Sequence, residues 1–132
     1  MRQRDTILIV DDMEINRVIL SGLFQDEYHL LEAENGEQAL LLLKQYHSNI
    51  AIMLLDVVMP VMDGYQAARA IRGSGKKDAE MIPIIAIIAN AFAEDKRKTM
   101  EAGMDAHLSK PLNVQELMDT IRKFCAGKQI CQ

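Results

Sequence analysis

The sequence predicts an α/β fold, a doubly wound parallel sheet of five strands with helices on both faces. Short apolar strands alternate with amphipathic helices five times along the 132 residues, without a second composition regime. The third strand, residues 50–55, has no polar position, which indicates that helices cover both of its faces. Strands that are joined through helices in this way run parallel, with right-handed crossovers. We therefore expect a single domain.

The strands are predicted from short runs of β-branched and aliphatic residues, and most of these runs end at polar or turn-forming residues. The third run leads directly into Asp56, and the chain then turns through residues 59–64. Pro83 stands near the start of the fourth run, where a strand tolerates the missing N–H group. The five predicted strands are residues 6–10, 28–33, 50–55, 82–88 and 106–108.

The helices are predicted from apolar residues at helical spacing and from capping residues at their ends. Asn35 and Asn113 are the expected N-caps of the second and the last helix, and Gly103 is expected to end the fourth. The predicted helices begin near residues 14, 37, 65, 94 and 114. The first is expected to pack on the sheet through four apolar residues, Ile15, Val18, Ile19 and Leu23.

The composition is that of an ordinary soluble domain, with 49% hydrophobic and 26% charged residues. The net charge of -4 argues against nucleic acid as a direct partner, and no apolar run is long enough for a membrane span. No signal peptide is visible, and Cys125 and Cys131 are expected to be reduced thiols. We therefore expect a cytoplasmic domain over residues 1–126, followed by a polar tail or linker over residues 127–132.

Charged residues follow three of the five predicted strands. Asp11 and Asp12 come after the first strand, Asp56 comes after the third, and Lys110 comes after the fifth. Parallel strands place their carboxyl ends at one edge, so these groups converge if the three strands lie close together. The carboxylates would repel one another unless a cation or the lysine amine relieved them, and Mg²⁺ suits such oxygen ligands. A carboxylate beside Mg²⁺ and an amine can attack a phosphoryl group. The alternative is an acidic rim with a salt-bridged lysine and no chemistry.

Four segments place this chain close to a known family. They are residues 7–12, 54–64, 82–86 and 108–111, and in this order they resemble the receiver domain of two-component response regulators. The resemblance covers Ile7 to about Phe124 and implies a flavodoxin-like (βα)5 fold with strand order 2-1-3-4-5. It implies a signalling phosphoacceptor and not an enzyme, with at most self-phosphorylation from small phosphodonors and slow autodephosphorylation. Residues 84–95 and 101–108 are similar to receivers attached to hybrid histidine kinases, which implies a larger parent protein.

The resemblance also assigns roles to the charged residues. Asp56 would accept a phosphoryl group from a phosphohistidine of a sensor histidine kinase or a histidine phosphotransfer domain. Asp12, Asp56 and the backbone carbonyl of Val58 would bind Mg²⁺ directly, and Asp11 would hold a metal-bound water. Lys110 would pair with the phosphoryl oxygens.

Two positions bear on switching, in which phosphorylation alters the face of the fourth helix, fifth strand and fifth helix. Ile88 stands where the family usually has Thr or Ser, whose hydroxyl group bonds the phosphoryl group and draws in the following loop. Such a bond contributes about 1.5–3 kcal/mol, comparable to an allosteric coupling of about 1–3 kcal/mol, so switching is expected to be weakened. His107 occupies the aromatic switch position, either as a rotating gate or as a partly exposed ring.

The same face is, by analogy, the expected surface for a dimer and for an output domain or target protein. The alternative function is a receiver-like interaction module that works without phosphorylation. Ile88 favours that alternative, whereas the intact acidic residues and Lys110 argue against it.

Overall fold

A computed structural model describes residues 5–56, 64–75, 81–88, 93–110 and 112–127. Val58, the tail over residues 128–132 and the side chains of Cys125 and Cys131 lie outside the described part of the chain. In the part that is described, no helix combines the length and the apolar character that crossing a bilayer requires.

Five parallel strands form one sheet in the order 2-1-3-4-5, which confirms the predicted fold. The strands are β1 (Thr6–Val10), β2 (His29–Ala33), β3 (Ile50–Asp56), β4 (Ile84–Ile88) and β5 (Ala106–Ser109). The helices are α1 (Glu14–Phe24), α2 (Gly36–Tyr46), α3 (Gly64–Arg72), α4 (Ala93–Glu101) and α5 (Val114–Gly127). The predicted ends differ from these only slightly.

The sheet is buried on both faces, as its apolar strands predict. Every residue of β1, β3 and β4 is buried. One face packs against α2 and α3 through Ala39, Leu43, Ala67, Ala68 and Ile71. The other packs against α1 and α5 through Leu20, Phe24, Leu117 and Ile121. The sheet is therefore held between two hydrophobic layers, and the charged residues of the predicted site lie at the ends of the strands.

The packing face predicted for α1 is largely wrong. Leu20 and Phe24 are the buried residues of this helix, at 3% and 1% exposure. Of the four expected contacts only Leu23 packs against the core, while Ile15, Val18 and Ile19 are 57%, 55% and 55% exposed. The helix offers two apolar stripes at helical spacing, and the one that carries the large Phe24 ring meets the sheet. An apolar stripe is consequently left facing solvent.

Both predicted N-caps form. The side-chain oxygen of Asn35 accepts a hydrogen bond from the backbone N–H of Gln38 at 2.9 Å. Asn113 accepts one from the backbone N–H of Glu116, also at 2.9 Å. Each bond satisfies one of the free N–H groups in a first helical turn, so both helices begin where the capping residues predict.

Arg72 ties the end of α3 to the segment between α4 and β5. Its Nε donates to the carbonyl of Gly103 at 2.8 Å and its Nη1 to the carbonyl of Ile82 at 2.8 Å. Its Nη2 donates to Asp105 Oδ2 at 2.7 Å, and that oxygen also accepts the backbone N–H of Ile84 at 2.8 Å. One guanidinium group therefore positions the starts of both β4 and β5.

We expect Gly103→Ala to destabilise the protein by about 2 kcal/mol, since a left-handed non-glycine residue costs roughly 1–3 kcal/mol. Gly103 has a φ of 88°, and an added Cβ would lie 2.9 Å from Cγ of Arg72, which its hydrogen bonds hold in place. Gly75→Ala is the matched control, because its φ is 84° and, among the described residues, no atom lies within 4 Å of the new Cβ. Urea unfolding should show the larger loss at Gly103; equal losses would mean that the Arg72 contact carries no cost.

Candidate functional site

The carboxyl edge of the sheet brings the predicted charged residues together. Asp56 is the last residue of β3, and Asp11 directly follows β1. The two strands are neighbours with Val10 opposite Leu55, so the register places Asp11 beside Asp56. Lys110 directly follows β5, two strands away from β3.

The three aspartates form a tight acidic cluster. One carboxylate oxygen from each of Asp11, Asp12 and Asp56 lies within 4.8 Å of the others. Asp11 and Asp56 are each only 2% exposed, whereas Asp12 is exposed. Buried like charges this close repel strongly, because little water screens them. The cluster therefore favours a bound cation or a nearby amine.

Lys110 supplies an amine to this cluster. Its Nζ lies 3.3 Å from Oδ2 of Asp56, and its side chain crosses the end of β4 to reach it. The backbone N–H of Lys110 donates to the carbonyl of Ile88 at 2.8 Å, which fixes where the lysine leaves the sheet. With 39% of its side chain exposed, Lys110 stands at the mouth of the site and not beneath it.

Two further residues at this edge were missed by the sequence analysis. Asn16 donates from Nδ2 to Oδ2 of Asp11 at 3.2 Å, and Arg17 donates from Nη1 to the backbone carbonyl of Asp11 at 2.8 Å. The backbone N–H of Met13 donates to Oδ1 of Asp11 at 2.9 Å. Polar residues in the first turn of a helix that follows a charged strand end were the signal available in the sequence.

The two predicted switch residues lie near the site but not in the acidic cluster. Ile88 is the last residue of β4, 1% exposed, with Ser109 as its partner on β5. His107 is partly buried on β5, opposite Ala86. It borders a cavity of about 360 Å³ lined also by Thr99, Met100, Met104, Asp105 and Ala106. His107 therefore borders a surface depression and is not enclosed on all sides.

The cluster has the donor set and the spacing that Mg²⁺ requires. Oxygen ligands lie about 2.1 Å from Mg²⁺, so ligands on opposite sides of the ion are roughly 4.2 Å apart. The observed limit of 4.8 Å exceeds this by little, and a water between one carboxylate and the ion would span the difference. Asp11, Asp12 and Asp56 therefore fit a hydrated Mg²⁺ ion.

The family is decided by a match over most of the chain. The model of the response regulator receiver domain matches residues 7–122. The chain belongs to this family. Receiver domains are signalling domains of two-component and phosphorelay systems, not enzymes of the ordinary kind. The predicted resemblance is thereby confirmed.

Similar proteins include both kinases and isolated receivers. The sensor histidine kinase RcsC of Escherichia coli is 41% identical over 119 residues, which are 89% of this chain and 12% of that protein. The receiver domain of the sensor histidine kinase PA1611 from Pseudomonas aeruginosa, solved with magnesium in its active-site cleft, is 29% identical. Its TM-score is 0.79, with 92% of this chain and 98% of that chain covered.

A third similar structure contains a phosphotransfer partner. The receiver domain of Ssk1 from Saccharomyces cerevisiae was solved in complex with the histidine phosphotransfer protein Ypd1. The match is 26% identical with a TM-score of 0.86, and it covers 97% of this chain and 93% of that chain. The present chain thus spans a small part of the curated kinase and nearly all of two receiver structures.

Proposed function

We propose that this receiver domain accepts a phosphoryl group on Asp56 from a phosphohistidine of a sensor histidine kinase or a histidine phosphotransfer domain. The supporting observation is the position of Asp56, a buried carboxylate at the end of β3. It lies within 4.8 Å of two further aspartates and 3.3 Å from Nζ of Lys110. This combines a nucleophile, a cation site and an amine in one pocket.

The transfer is a displacement at phosphorus. A carboxylate oxygen of Asp56 attacks the phosphorus atom while the bond from phosphorus to the histidine nitrogen breaks. The electron pair stays on the leaving nitrogen, which takes a proton from water, and Asp56 becomes an acyl phosphate. The ammonium group of Lys110 lies where it can pair with the phosphoryl oxygens.

Asp12, Asp56 and the Val58 carbonyl would bind Mg²⁺, with Asp11 holding one of its waters. When bound, Mg²⁺ neutralises negative charge on the oxygens of the transferred group. Burial shields Asp11 and Asp56 from bulk water, whereas Asp12 is exposed to solvent.

The phosphodonor would dock on the exposed stripe of α1. This α1 apolar patch comprises Met13, Ile15, Val18 and Ile19, each more than half exposed. A cavity of about 260 Å³ joins the patch to the site, because its lining includes Ile19, Asp11 and Lys110. A protein that presents a phosphohistidine to Asp56 must cover the surface around the pocket, and helices with apolar residues suit such a patch.

Replacing Ile15 and Ile19 by Ser should slow transfer from a protein phosphodonor by about thirtyfold, since each loses roughly 1 kcal/mol of apolar burial. Uptake from a small phosphodonor such as phosphoramidate should be unchanged, because it does not need a docking surface. Leu41→Ser is the matched control, since Leu41 is 64% exposed on α2, across the sheet. Equal slowing with both donors would argue that the serines damage the pocket itself.

The function is tested directly by phosphoryl uptake. The protein is incubated with phosphoramidate and MgCl₂, and intact-mass spectrometry counts the groups added per chain. We expect one acid-stable, base-labile phosphoryl group, formed only when Mg²⁺ is present. No uptake from phosphoramidate or from a phosphorylated histidine phosphotransfer domain would contradict the proposal.

A second candidate is a receiver-like module that binds its partner without phosphorylation. Ile88 favours it, because its buried side chain offers no hydrogen bond to a phosphoryl group. Output or dimer contacts would then form constitutively on the face of α4, β5 and α5, where Met100 is 77% exposed. Partner binding that is equal before and after phosphorylation would favour this candidate.

A further inference from the structure

Asp11 is held by hydrogen bonds at every polar group it has. Its backbone N–H donates to the carbonyl of Ala33 at 3.1 Å, and its own carbonyl accepts from Nη1 of Arg17 at 2.8 Å. Its Oδ1 accepts the backbone N–H of Met13 at 2.9 Å, and its Oδ2 accepts Nδ2 of Asn16 at 3.2 Å. This buried member of the acidic cluster is therefore held at both its backbone and its side chain.

Two contacts on different oxygens determine the plane of a carboxylate. A single bond from Met13 to Oδ1 would leave the group free to turn about that contact, and repulsion from Asp56 would favour turning away. Asn16 supplies the second contact, because its side-chain amide donates a hydrogen bond to Oδ2 of Asp11. The orientation of Asp11 toward its neighbours therefore depends on Asn16.

Arg17 places Asn16 by anchoring the first part of α1. Besides its bond to the carbonyl of Asp11, its Nε lies 3.2 Å from Oε1 of Glu32 on β2. The other oxygen of Glu32 accepts from Oγ of Ser21 at 3.2 Å, so two residues of α1 are tied to the same carboxylate. The helix cannot shift along the sheet without breaking these bonds.

We propose that Asn16 is a positioning residue for the Mg²⁺ site, an inference that rests on the proposed function. Its amide holds the Asp11 carboxylate in the plane from which Asp11 receives a water of the hydrated ion. A carboxylate offers about four lone-pair positions. Met13 and Asn16 occupy one on each oxygen, which leaves one on each for water. Asn16 itself does not touch the ion.

The experiment is a titration of the full chain with MgCl₂ by isothermal titration calorimetry. Asn16→Leu keeps the branched shape of the side chain but removes the N–H donor, and Asn16→Ala removes both the shape and the donor. Gln45→Ala is the matched control, an amide-to-alanine change at an exposed position on α2. We expect both Asn16 variants to bind Mg²⁺ about tenfold more weakly, as is typical when a residue supporting a metal ligand is lost.

The outcomes separate this inference from the function. If Asn16→Leu binds Mg²⁺ as tightly as the parent, Asn16 does not position the site. Absence of Mg²⁺ binding by the parent would instead contradict the proposed function.

Thermal unfolding without Mg²⁺ shows whether the variants are folded. Should they not fold, NMR of the parent decides: the side-chain amide resonances of Asn16 should shift with the same Mg²⁺ dependence as the Asp11 backbone amide. Unshifted resonances would overturn the inference.

Discussion

Replacing Asp56 by Asn is expected to reduce phosphoryl uptake by more than about a thousandfold, the scale on which loss of a nucleophile acts. The substitution keeps the shape of the side chain at the end of β3 but removes the negative oxygen that attacks phosphorus. It also removes one of three close negative charges, so the folded state loses a source of repulsion. Intact-mass spectrometry after incubation with phosphoramidate and MgCl₂ measures the result.

Asp26→Asn is the matched control for this experiment. Asp26 is exposed in the turn between α1 and β2, which lies at the edge of the sheet opposite the acidic cluster, so the variant should be phosphorylated like the parent. Uptake that survives in Asp56→Asn would place the acceptor elsewhere, with the neighbouring Asp11 or Asp12 as the first residues to examine. Circular dichroism of both variants excludes unfolding as the cause of a loss.

The fold class and the shared sheet edge of the site residues follow from patterns that are local in the sequence. An apolar strand such as residues 50–55 has to be covered on both faces, and this requirement leads directly to a parallel sheet between two helical layers. Once the strands are parallel, Asp11 and Asp56 share an edge by topology alone. The strand order, however, came from the family resemblance, and only that order decides whether Lys110 lies near Asp56.

What sequence reasoning missed depends on contacts between distant residues or on a choice between similar faces. Arg72 meets Gly103 and Asp105 more than thirty positions further along the chain, and no local pattern pairs them. In α1 two apolar stripes have the same helical spacing, and packing against the sheet selects the one with Phe24. The stripe left exposed is the one we assign to docking, so the wrong prediction and the proposed interface share a cause.

On the proposed function, the position of Ile88 would allow phosphorylation without switching. Asp56, the proposed phosphoacceptor, lies opposite Ile87 on β4, so Ile88 is one residue further along that strand. Ile88 and Ala86 belong to the same hydrophobic layer, and His107 is the partner of Ala86 on β5. A hydroxyl group at position 88 would therefore stand between the pocket and His107. Isoleucine leaves the aspartates and Lys110 untouched but removes that connection.

Ile88→Thr is expected to create a coupling of about 1–3 kcal/mol between the phosphorylated pocket and the face of α4, β5 and α5, a roughly 5–150-fold change in its equilibrium. The new hydroxyl would donate to the phosphoryl group, and a bond to a charged group contributes about 1.5–3 kcal/mol. This coupling is measured from amide NMR chemical shifts, recorded with MgCl₂ and with beryllofluoride, which mimics the phosphoryl group. In the parent the shifts should stay near Asp56, and in the variant they should reach His107 and α5.

Ile84→Thr separates this gain from the cost of burying a threonine. Ile84 lies in the same hydrophobic layer at the opposite end of β4 and is fully buried, so both variants should lose stability to a similar extent. Only the threonine at position 88 can reach the phosphoryl group, and only that variant should transmit the signal. Identical NMR responses in the parent and Ile88→Thr would show that the missing hydroxyl does not limit switching. If those responses already extended to His107, this receiver would transmit phosphorylation through contacts other than that hydroxyl.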